Sequence, residues 1–296
     1  MKTFQLLRTG VAIGLVALAS TAAAATTLVV GGKNFTEQQI MAEMTSQLLR
    51  AKGYTIDKKA GMGSTVLRQA LVNGQVDLYW EYTGTALIVY NKITKPMSAA
   101  AGYAKVKELD AAKGLVWLNP SKANNTYALA MRQQEAKDMG ISTISELAAA
   151  LNHKKPLTLA VNAEFAARSD GLKPLEKTYG FQFPRASVKH MDTGLTYQAL
   201  RDKQVNVALV FATDGRIPAF HFVVLKDDKH FFSDYALTPV VRKAVLDKNP
   251  ELAGILNRLS AALDDKIMAG LNAEVDVDHK SVSSVCAAFL KKTGLV

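Results

Sequence analysis

The sequence predicts an α/β fold of two lobes with a ligand cleft between them. Three strand–turn–helix units follow one another after residue 26, which is the pattern of a parallel sheet covered by helices. The 296 residues, of which 49% are hydrophobic and 21% charged, suffice for two lobes of about 100 to 150 residues each. No linker rich in Pro, Gly or Ser divides the chain, so strand-like crossings are expected to join the lobes.

The first 25 residues have the three-part pattern of a secretory signal peptide. Lys2 and Arg8 form a short positive region, an apolar run extends over 11–19, and small residues lead to a cleavage site near Ala25. The apolar run is shorter than the about 20 residues that a membrane-spanning helix needs. No cysteine stands at the cleavage point, so we expect a periplasmic protein without a lipid anchor.

The first lobe is predicted to begin with three parallel strands, each followed by a helix. Thr36 and Gln39 have the spacing of a capping box, and Ser64 is placed to cap the second helix. The predicted elements are strands at 27–31, 55–59 and 76–80 and helices at 37–52, 65–73, beyond 84 and at 105–113. Ligands bind at the carboxyl ends of such strands, so the loops that follow them should form the cleft.

The second half of the chain repeats the α/β pattern before it ends in helices. The predicted strands are 116–118, 127–131, 157–161, 205–211 and 222–226, and the predicted helices are 145–152, 170–179 and 194–203. A segment at 238–242 then leads into helices that extend to 292. We therefore assign 26–128 plus 236–296 to lobe one, to which the C-terminal helices return, and 129–235 to lobe two.

Metal coordination, cofactor binding and nucleophilic catalysis have no motif in this sequence. The five histidines lack a metal-ligand spacing such as H-E-x-x-H, and the Gly-x-Ser-x-Gly motif is absent. The glycines of 61–64 form neither a P-loop nor a dinucleotide fingerprint. The sole cysteine, Cys286, lies in an apolar stretch and should be buried. We expect no metal, no cofactor and no enzymatic activity, and an exported α/β enzyme is the alternative from a different class.

The positive charge is spread along the chain. The formal net charge is +10, and removing Lys2 and Arg8 leaves 34 − 26 = +8 on the mature chain. A protein that binds nucleic acid would concentrate this charge on one face or helix. Nucleic acid is therefore not an expected partner.

Polar and aromatic side chains follow the predicted strands at positions that would converge on the cleft. Aromatic faces attract a cation, whereas basic side chains, hydroxyls and helix N-terminal amides attract a carboxylate. Together they favour a small zwitterion, and a quaternary ammonium suits aromatic rings because it cannot donate hydrogen bonds. The residues in question are Lys33, Tyr82, Thr85, Tyr127, Arg168, Phe211 and Tyr235.

Each of these residues also has a purely structural interpretation. A tyrosine at the end of a strand commonly packs in the core or at its rim. Lys33 could lie on the surface, and Arg168 could form a solvated ion pair with Asp170 or Glu164 that adds little stability. The individual positions therefore do not decide the function, and the resemblance to a known family adds to them.

The chain resembles the substrate-binding proteins of osmoprotectant ABC transporters in four motifs: GKNFTEQ at 32–38, GMGST at 61–65, EYTGT at 81–85 and FATDGRI at 211–217. The resemblance includes LTPVVR at 237–242, extends over essentially the whole mature chain, and is closest to the YehZ type. Members of this family bind glycine betaine, choline, carnitine or proline betaine. The resemblance implies a type II periplasmic-binding-protein fold.

The resemblance also implies which residues hold the ligand. An aromatic box around the ammonium would consist of Tyr82, Tyr127, Phe211 and Tyr235, and the ligand carboxylate would meet Lys33, Thr85 and Arg168. Phe211 stands where a tyrosine is expected, and Asn125 stands where many members carry an aspartate. Both changes predict weak binding or a different preferred ligand. Tyr197 is a further candidate, which its helix could place either in the cleft or against the core.

The expected function is therefore binding rather than catalysis. The two lobes would close by a hinge motion around a small zwitterion and present it to an inner-membrane ABC permease with its ATPase. A monomer is expected. The alternative is the same fold binding another small solute, such as an amino acid or a polyamine.

Overall fold

The computed structural model describes residues 27–95 and 97–296, and the predicted signal peptide at 1–25 lies outside the described residues. Ten strands lie in these ranges: β1 (Thr27–Lys33), β2 (Thr55–Met62), β3 (Leu78–Tyr82), β4 (Leu115–Trp117), β5 (Tyr127–Arg132), β6 (Leu159–Val161), β7 (Val188–His190), β8 (Val207–Phe211), β9 (Phe222–Val224) and β10 (Leu237–Arg242).

Thirteen α-helices lie in the same ranges: α1 (Thr36–Ala51), α2 (Ser64–Val72), α3 (Ala99–Ala111), α4 (Gln133–Met139), α5 (Ile144–Asn152), α6 (Ala163–Ala167), α7 (Leu172–Tyr179), α8 (Thr193–Arg201), α9 (Arg216–Ala219), α10 (Lys243–Lys248), α11 (Leu252–Ala261), α12 (Asp265–Asp276) and α13 (Val282–Lys292). A π-helical segment at Thr85–Tyr90 and a 3-10 turn at Arg185–Ser187 are also present.

The strands form two five-stranded sheets. The first has the order β2-β1-β3-β10-β4, and the second has the order β7-β6-β8-β5-β9. In the first sheet β1, β2 and β3 are parallel, as the three strand–turn–helix units predict, whereas β10 is antiparallel to β3 and β4. In the second sheet β6 is parallel to β7 and β8, and β5 is antiparallel to β8 and β9. Both sheets are therefore mixed, which corrects the expectation of a parallel sheet.

The chain crosses between the sheets twice, before β5 and before β10. The crossings lie side by side, with Asn124 and Ala236 paired as an antiparallel bridge. The backbone N–H of Asn125 donates to the carbonyl of Tyr235 at 3.2 Å, and the Asn124 side chain accepts a bond from the Tyr235 N–H at 2.8 Å. Both crossings therefore hold Asn125 and Tyr235 next to each other, where the two sheets meet.

The C-terminal helices return to the first sheet. Cys286 on α13 is fully buried, and its Sγ donates to the carbonyl of Ile40 on α1 at 3.4 Å. The prediction that Cys286 is a buried apolar residue is confirmed. On α12, Asp276 accepts a hydrogen bond from Thr36 at 2.8 Å. The first helix is thus held from one side by its own sheet and from the other by the end of the chain.

Two predicted helix caps are wrong. Helix α1 is preceded by Phe35 and has no side-chain cap, because the Thr36 hydroxyl bonds to Asp276 instead of to its own helix. Helix α2 is preceded by Gly63 and has no side-chain cap. Ser64 is its first residue, and its hydroxyl donates to Glu164 at 3.0 Å. Partners distant in sequence therefore replace the local hydrogen bonds that the spacing predicts.

Two element boundaries also differ from the prediction in ways that affect the site. Strand β3 lies two residues further along the chain than predicted, so Tyr82 is its last residue. The helix predicted at 170–179 begins two residues later, as α7 at Leu172, and it is preceded by a short helix that was not predicted, α6, which ends at Ala167. Arg168 and Asp170 lie in the sharp turn between them. A Cβ at Gly171 would lie 1.9 Å from the carbonyl oxygen of Phe165, so this turn requires a glycine.

Candidate functional site

A pocket lies where the loops of the two sheets meet. Seven of the eight predicted site residues line it: Lys33, Tyr82, Thr85, Asn125, Tyr127, Phe211 and Tyr235. Residues that the sequence did not single out as ligand contacts line it as well: Asn34, Phe35, Ser64, Asn162, Glu164 and Thr193. The eighth, Arg168, lies behind this wall. The structure therefore brings together residues that are up to about 200 positions apart in the sequence.

Five aromatic rings form a continuous cluster around the pocket, which we call the aromatic cluster: Phe35, Tyr82, Tyr127, Phe211 and Tyr235. Phe35 stacks on Phe211 with the ring centroids 5.2 Å apart and the planes 8° apart, and on Tyr82 at 6.2 Å. Tyr127 lies 5.1 Å from Phe211 and meets Tyr235 edge-on at 5.8 Å. Phe35 is the member that the sequence analysis missed, although it belongs to the GKNFTEQ motif.

Lys33, predicted to meet a ligand carboxylate, already has a carboxylate partner. Its Nζ lies 2.5 Å from Oε1 of Glu81, and both side chains are almost completely buried. Glu81 also accepts hydrogen bonds from the hydroxyls of Tyr79 and Tyr90, at 2.8 and 3.2 Å. The Nζ lies 4.9 Å from the Tyr82 ring centroid. Lys33 thus contributes a neutralised ion pair to the wall and not a free positive charge.

Arg168 is likewise paired with a carboxylate. Its Nε and one terminal nitrogen each donate to Asp170 at 2.7 Å, in a bidentate arrangement. The other terminal nitrogen lies 3.2 Å from Glu164. The structural interpretation of Arg168 as an ion pair with these two residues is therefore confirmed, but the pair with Asp170 is buried and not solvated.

Arg168 also reaches two residues of the pocket wall. It donates to the hydroxyl of Tyr235 at 3.3 Å and to the hydroxyl of Thr85 at 3.4 Å. The guanidinium lies 5.1 Å from the Tyr127 ring centroid. The Tyr235 hydroxyl in turn donates to Asp170. Burial raises the pKa of Tyr235 well above its ordinary value, so this phenol stays protonated as a donor.

A second polar network contacts the aromatic cluster at Tyr82 and is centred on Glu37. The Glu37 carboxylate accepts four hydrogen bonds: from Tyr82 Oη at 2.7 Å, Asn125 Nδ2 at 3.0 Å, Thr213 Oγ1 at 2.5 Å and Asn272 Nδ2 at 3.3 Å. Glu37 was not a predicted site residue. Its position directly after Thr36 in the GKNFTEQ motif was the only signal in the sequence.

Asn125 therefore plays a different part from the one that its residue type predicted. It donates to Glu37 and accepts a bond from the backbone N–H of Thr213 at 3.3 Å. A carboxylate does lie beside the cluster, and it comes from helix α1 and not from position 125.

Tyr197, the further candidate, is fully buried. Its hydroxyl accepts a bond from the backbone N–H of Phe211 at 2.8 Å, so it supports the cluster from the core.

Several hydrogen bonds link the loops of the two sheets across the pocket. Ser64, at the start of α2, donates to Glu164, and Thr85 accepts from Arg168. Thr213, which follows β8, donates to Glu37 on α1. Each bond joins a group carried by the first sheet to a group carried by the second. Closing or opening the pocket would therefore make or break these bonds together.

The chemistry of this site favours binding. Ring faces attract a cation by about 0.5 to 2 kcal/mol each, and the five rings lie within one pocket.

In the part of the chain that the structure describes, no group of three or more His, Cys, Asp and Glu side chains is arranged to hold a metal ion. Within the same residues, no helix is both long and apolar enough to cross a membrane.

Comparison with known proteins identifies related chains. A family model described as the substrate binding domain of ABC-type glycine betaine transport systems matches residues 26–292. The chain is 45% identical over 280 residues to a glycine-betaine-binding protein of Pseudomonas aeruginosa, covering 93% of this chain and 90% of that protein.

Two further relatives have solved structures. The glycine betaine-binding protein YehZ of Escherichia coli is 34% identical over 280 residues, 92% of each chain. Its apo structure has a TM-score of 0.68 and covers 92% of this chain and 100% of that one. A solved structure described as a glycine betaine/carnitine/choline ABC transporter is 31% identical, with a TM-score of 0.73 and coverage of 90% and 99%.

Proposed function

Because the chain belongs to the family of substrate-binding domains of ABC-type glycine betaine transport systems, we propose that it captures glycine betaine or a related quaternary ammonium compound in the aromatic cluster. Its two-lobed fold is the one predicted from the sequence, and the chain is a binding protein and not an enzyme. The observation that carries the proposal is the convergence of five aromatic rings from both sheets on one pocket.

The proposal includes a role for each side of the pocket. The rings of Tyr82, Tyr127, Phe211 and Tyr235, together with Phe35, would surround the ammonium. The side where Thr85 and Arg168 meet would receive a ligand carboxylate, and the Lys33–Glu81 pair would hold the wall between these two sides. In this proposal Arg168 would have to share its guanidinium between Asp170 and the ligand, which supports the prediction of modest affinity.

The proposal also covers the cellular role. The protein would be exported to the periplasm after removal of 1–25, and lobe one (26–128 plus 236–296) and lobe two (129–235) would close around the ligand by a hinge motion. The closed monomer would then deliver the ligand to an inner-membrane ABC permease with its ATPase. Closure would be coupled to binding because each lobe supplies part of the pocket wall.

Calorimetric titration of the mature protein tests this function. We expect saturable binding of at least one of glycine betaine, choline, carnitine and proline betaine, and no binding of arginine or glutamate. If only an amino acid or a polyamine gives heat, the fold stands but the role of the cluster is wrong. A compound that is consumed rather than recovered unchanged would indicate an enzyme.

Two variants test the aromatic cluster within the same titration. Tyr82→Ala and Tyr235→Ala each remove one ring and are expected to reduce quaternary-ammonium binding below detection. Tyr103→Ala is the matched control, because Tyr103 on α3 is half-buried and bonds to the carbonyl of Leu118 at 2.7 Å, away from the pocket. Undiminished affinity in both pocket variants would contradict the proposed cluster.

A further inference from the structure

Glu37 is a buried carboxylate whose partners are all uncharged. Its side chain is 2% exposed, and its four hydrogen bonds come from a phenol, a threonine hydroxyl and two amides. The two amide groups can only donate through the nitrogens that face Glu37. The carboxylate is therefore held in an acceptor arrangement that suits its ionised form.

The other charged groups at the pocket each have a partner of opposite charge. Lys33 pairs with Glu81, Arg168 with Asp170, and Arg216 with Asp214. Glu164 at the rim lies beside Arg168. Glu37 differs, because none of its four partners is basic. Burying a charge costs free energy unless an opposite charge compensates it; burial therefore raises the pKa of Glu37, while its four hydrogen bonds act in the opposite direction. When Glu37 is ionised, it is a buried negative charge for which its four partners supply no counter-charge.

The link from this carboxylate to the pocket is the Tyr82 phenol. Its hydroxyl donates to Glu37 at 2.7 Å, while its ring lines the pocket. A phenol that donates to a carboxylate carries more negative charge on its ring than a free phenol, which strengthens the attraction of its face for a cation. Asn125, Phe35 and Phe211 line both the pocket and the small cavity beside Glu37. The carboxylate is therefore one residue layer away from any bound cation.

We propose that Glu37 is a positioning residue that makes the pocket selective for a cation: it orients the Tyr82 phenol and supplies, through that ring, the negative charge that a bound ammonium balances. This inference rests on the proposed function and adds to it the residue that determines the charge preference. Glu37 touches no ligand in this proposal. Glu37 would determine which ligand charge the pocket prefers and not which ligand shape it accepts.

Shape and charge can be separated with pairs of ligands of equal size. 3,3-Dimethyl-1-butanol has the shape of choline with a carbon in place of the charged nitrogen, and 3,3-dimethylbutyrate has the same relation to glycine betaine. The measured quantity is the ratio of affinities within the pair whose cationic member binds, with the carbon analogue measured by competition. A residue that only holds the site in shape would change both affinities equally and leave this ratio unaltered.

We expect Glu37→Gln to reduce this ratio of affinities by about tenfold. A single, partly screened charge that lies one residue layer from a bound cation contributes about one factor of ten to its affinity. Tyr82→Phe keeps the ring but removes the link, and it should reduce the ratio by a similar factor. In the double variant the two effects should not add, because both break the same path. Tyr82→Phe also tests the inference if Glu37→Gln does not fold.

Glu43→Gln is the matched control on the same helix, since Glu43 pairs with Lys58 and Gln47 away from the pocket. The ratio of affinities measured for Glu43→Gln should equal that of the unaltered protein. An unchanged ratio in Glu37→Gln and Tyr82→Phe, with quaternary-ammonium binding retained, would overturn this inference and leave the proposed function intact. If the unaltered protein binds no quaternary ammonium at all, the proposed function fails and this inference fails with it.

Discussion

The rings of the aromatic cluster are held in two different ways. The hydroxyls of Tyr82 and Tyr235 are hydrogen-bonded to the buried carboxylates of Glu37 and Asp170, which fixes the orientation of both rings. Phe35 and Phe211 have no hydroxyl, and stacking at 5.2 Å aligns them to within 8°. A cation that binds among these rings therefore meets two faces oriented by hydrogen bonds and two oriented by ring packing alone.

Phe35 is expected to matter for binding although the sequence did not single it out. Replacing Phe35 with Ala removes one ring face and leaves Phe211 without its stacking partner. We expect Phe35→Ala to weaken quaternary-ammonium binding by about tenfold, as the loss of one cation–π contact and one aromatic pair predicts. Isothermal titration measures this effect, with Phe35→Leu showing how much of it depends on the ring.

Phe220→Ala is the control for this prediction. Phe220 also packs against an aromatic ring, at 5.7 Å from Phe222, but it lies directly after α9 and is not among the residues that line the pocket. Its removal should leave the dissociation constant unchanged. Equal affinities in Phe35→Ala and in the unaltered protein would remove Phe35 from the binding surface.

At this scale the sequence predicts positions better than partners. Seven of eight predicted residues line the pocket, because the ends of the parallel strands β1 and β3 and the crossings before β5 and β10 lie at the edge where the two sheets meet. The carboxylates that pair with Lys33 and Arg168 inside the protein are harder to predict from the sequence. Asp170 is two positions from Arg168, so the sequence itself suggests that ion pair, whereas Glu81 lies 48 positions from Lys33. Only the pairing of β1 with β3 brings those two side chains together.

The elements of the first sheet are joined by one buried carboxylate, Asp110, at the end of α3. It is fully buried and accepts hydrogen bonds from Arg68 on α2 and Trp117 on β4, at 2.7 and 2.8 Å, and from Asn91 at 3.2 Å. Burial alone would raise the pKa of Asp110, but the bonds and charge of Arg68, with the other donors, hold it below its ordinary value.

Asp110→Asn is expected to destabilise the protein by about 3 to 5 kcal/mol, because it leaves the Arg68 guanidinium buried without its counter-charge. Chemical unfolding with urea, followed by circular dichroism, measures this loss. Asp138→Asn on α4 is the control, since Asp138 is exposed and its side chain bonds to Gln134 at the surface. A loss of the same size in both variants would contradict the role of Asp110.

The pH dependence of stability has a defined sign for this residue. A carboxyl whose pKa is lower in the folded state contributes stability that is present above the pKa of the unfolded chain. That contribution disappears as the pH falls through the lower, folded value. The acid unfolding of the unaltered protein should therefore be steeper below about pH 4 than that of Asp110→Asn. Parallel curves for the two proteins would exclude this contribution.

The turn between α6 and α7 is the element that sets the position of Arg168. Gly171→Ala would place a Cβ 1.9 Å from the carbonyl oxygen of Phe165, so the backbone around Arg168 and Asp170 must shift. We expect a lower melting temperature and weaker ligand binding, because Asp170 also holds Tyr235. Differential scanning calorimetry and titration measure the two effects.

Gly254→Ala provides a matched substitution without a clash. Gly254 lies inside α11, and the nearest atom to its added Cβ is 4.0 Å away, at the end of the flexible Arg258 side chain. Alanine in a helix interior is favoured over glycine by about 1 kcal/mol, so this variant should be as stable as the unaltered protein or more so. Equal melting temperatures for both glycine variants would show that the turn tolerates a side chain.

Local patterns predict the type of most elements and miss how distant parts of the chain adjust them. The capping box at Thr36 and the cap at Ser64 have the right spacing, but their hydroxyls find partners 240 and 100 positions away. The helix predicted from residue 170 begins only at Leu172, after a turn in which Gly171 lies close to the carbonyl of Phe165, and the hydrophobic pattern of the sequence does not reveal this contact. Long-range contacts thus decide the details at the points where the site is built.

In the whole molecule, the two sheets meet at the pocket and at the two crossings. Three hydrogen bonds across the pocket join Ser64 to Glu164, Thr85 to Arg168 and Glu37 to Thr213. The crossings pair with each other at Asn124 and Ala236. A motion that separates the sheets breaks the first set of contacts and can leave the second intact, which is the arrangement of a hinge.

Ligand binding should therefore shorten the distance between the two sides of the pocket. Val66 on α2 and Leu195 on α8 are both exposed, and Val66→Cys with Leu195→Cys allows a spin label on each side. The native Cys286 should stay unlabelled, because it is fully buried and burial raises its pKa to about 12. We expect double electron–electron resonance to show a broad distance distribution without ligand and a narrower, shorter one at saturation. Leu195→Cys with Gln134→Cys places both labels beside the second sheet and should show no change. If ligand leaves the Val66–Leu195 distances unaltered while calorimetry shows binding, the pocket fills without hinge closure.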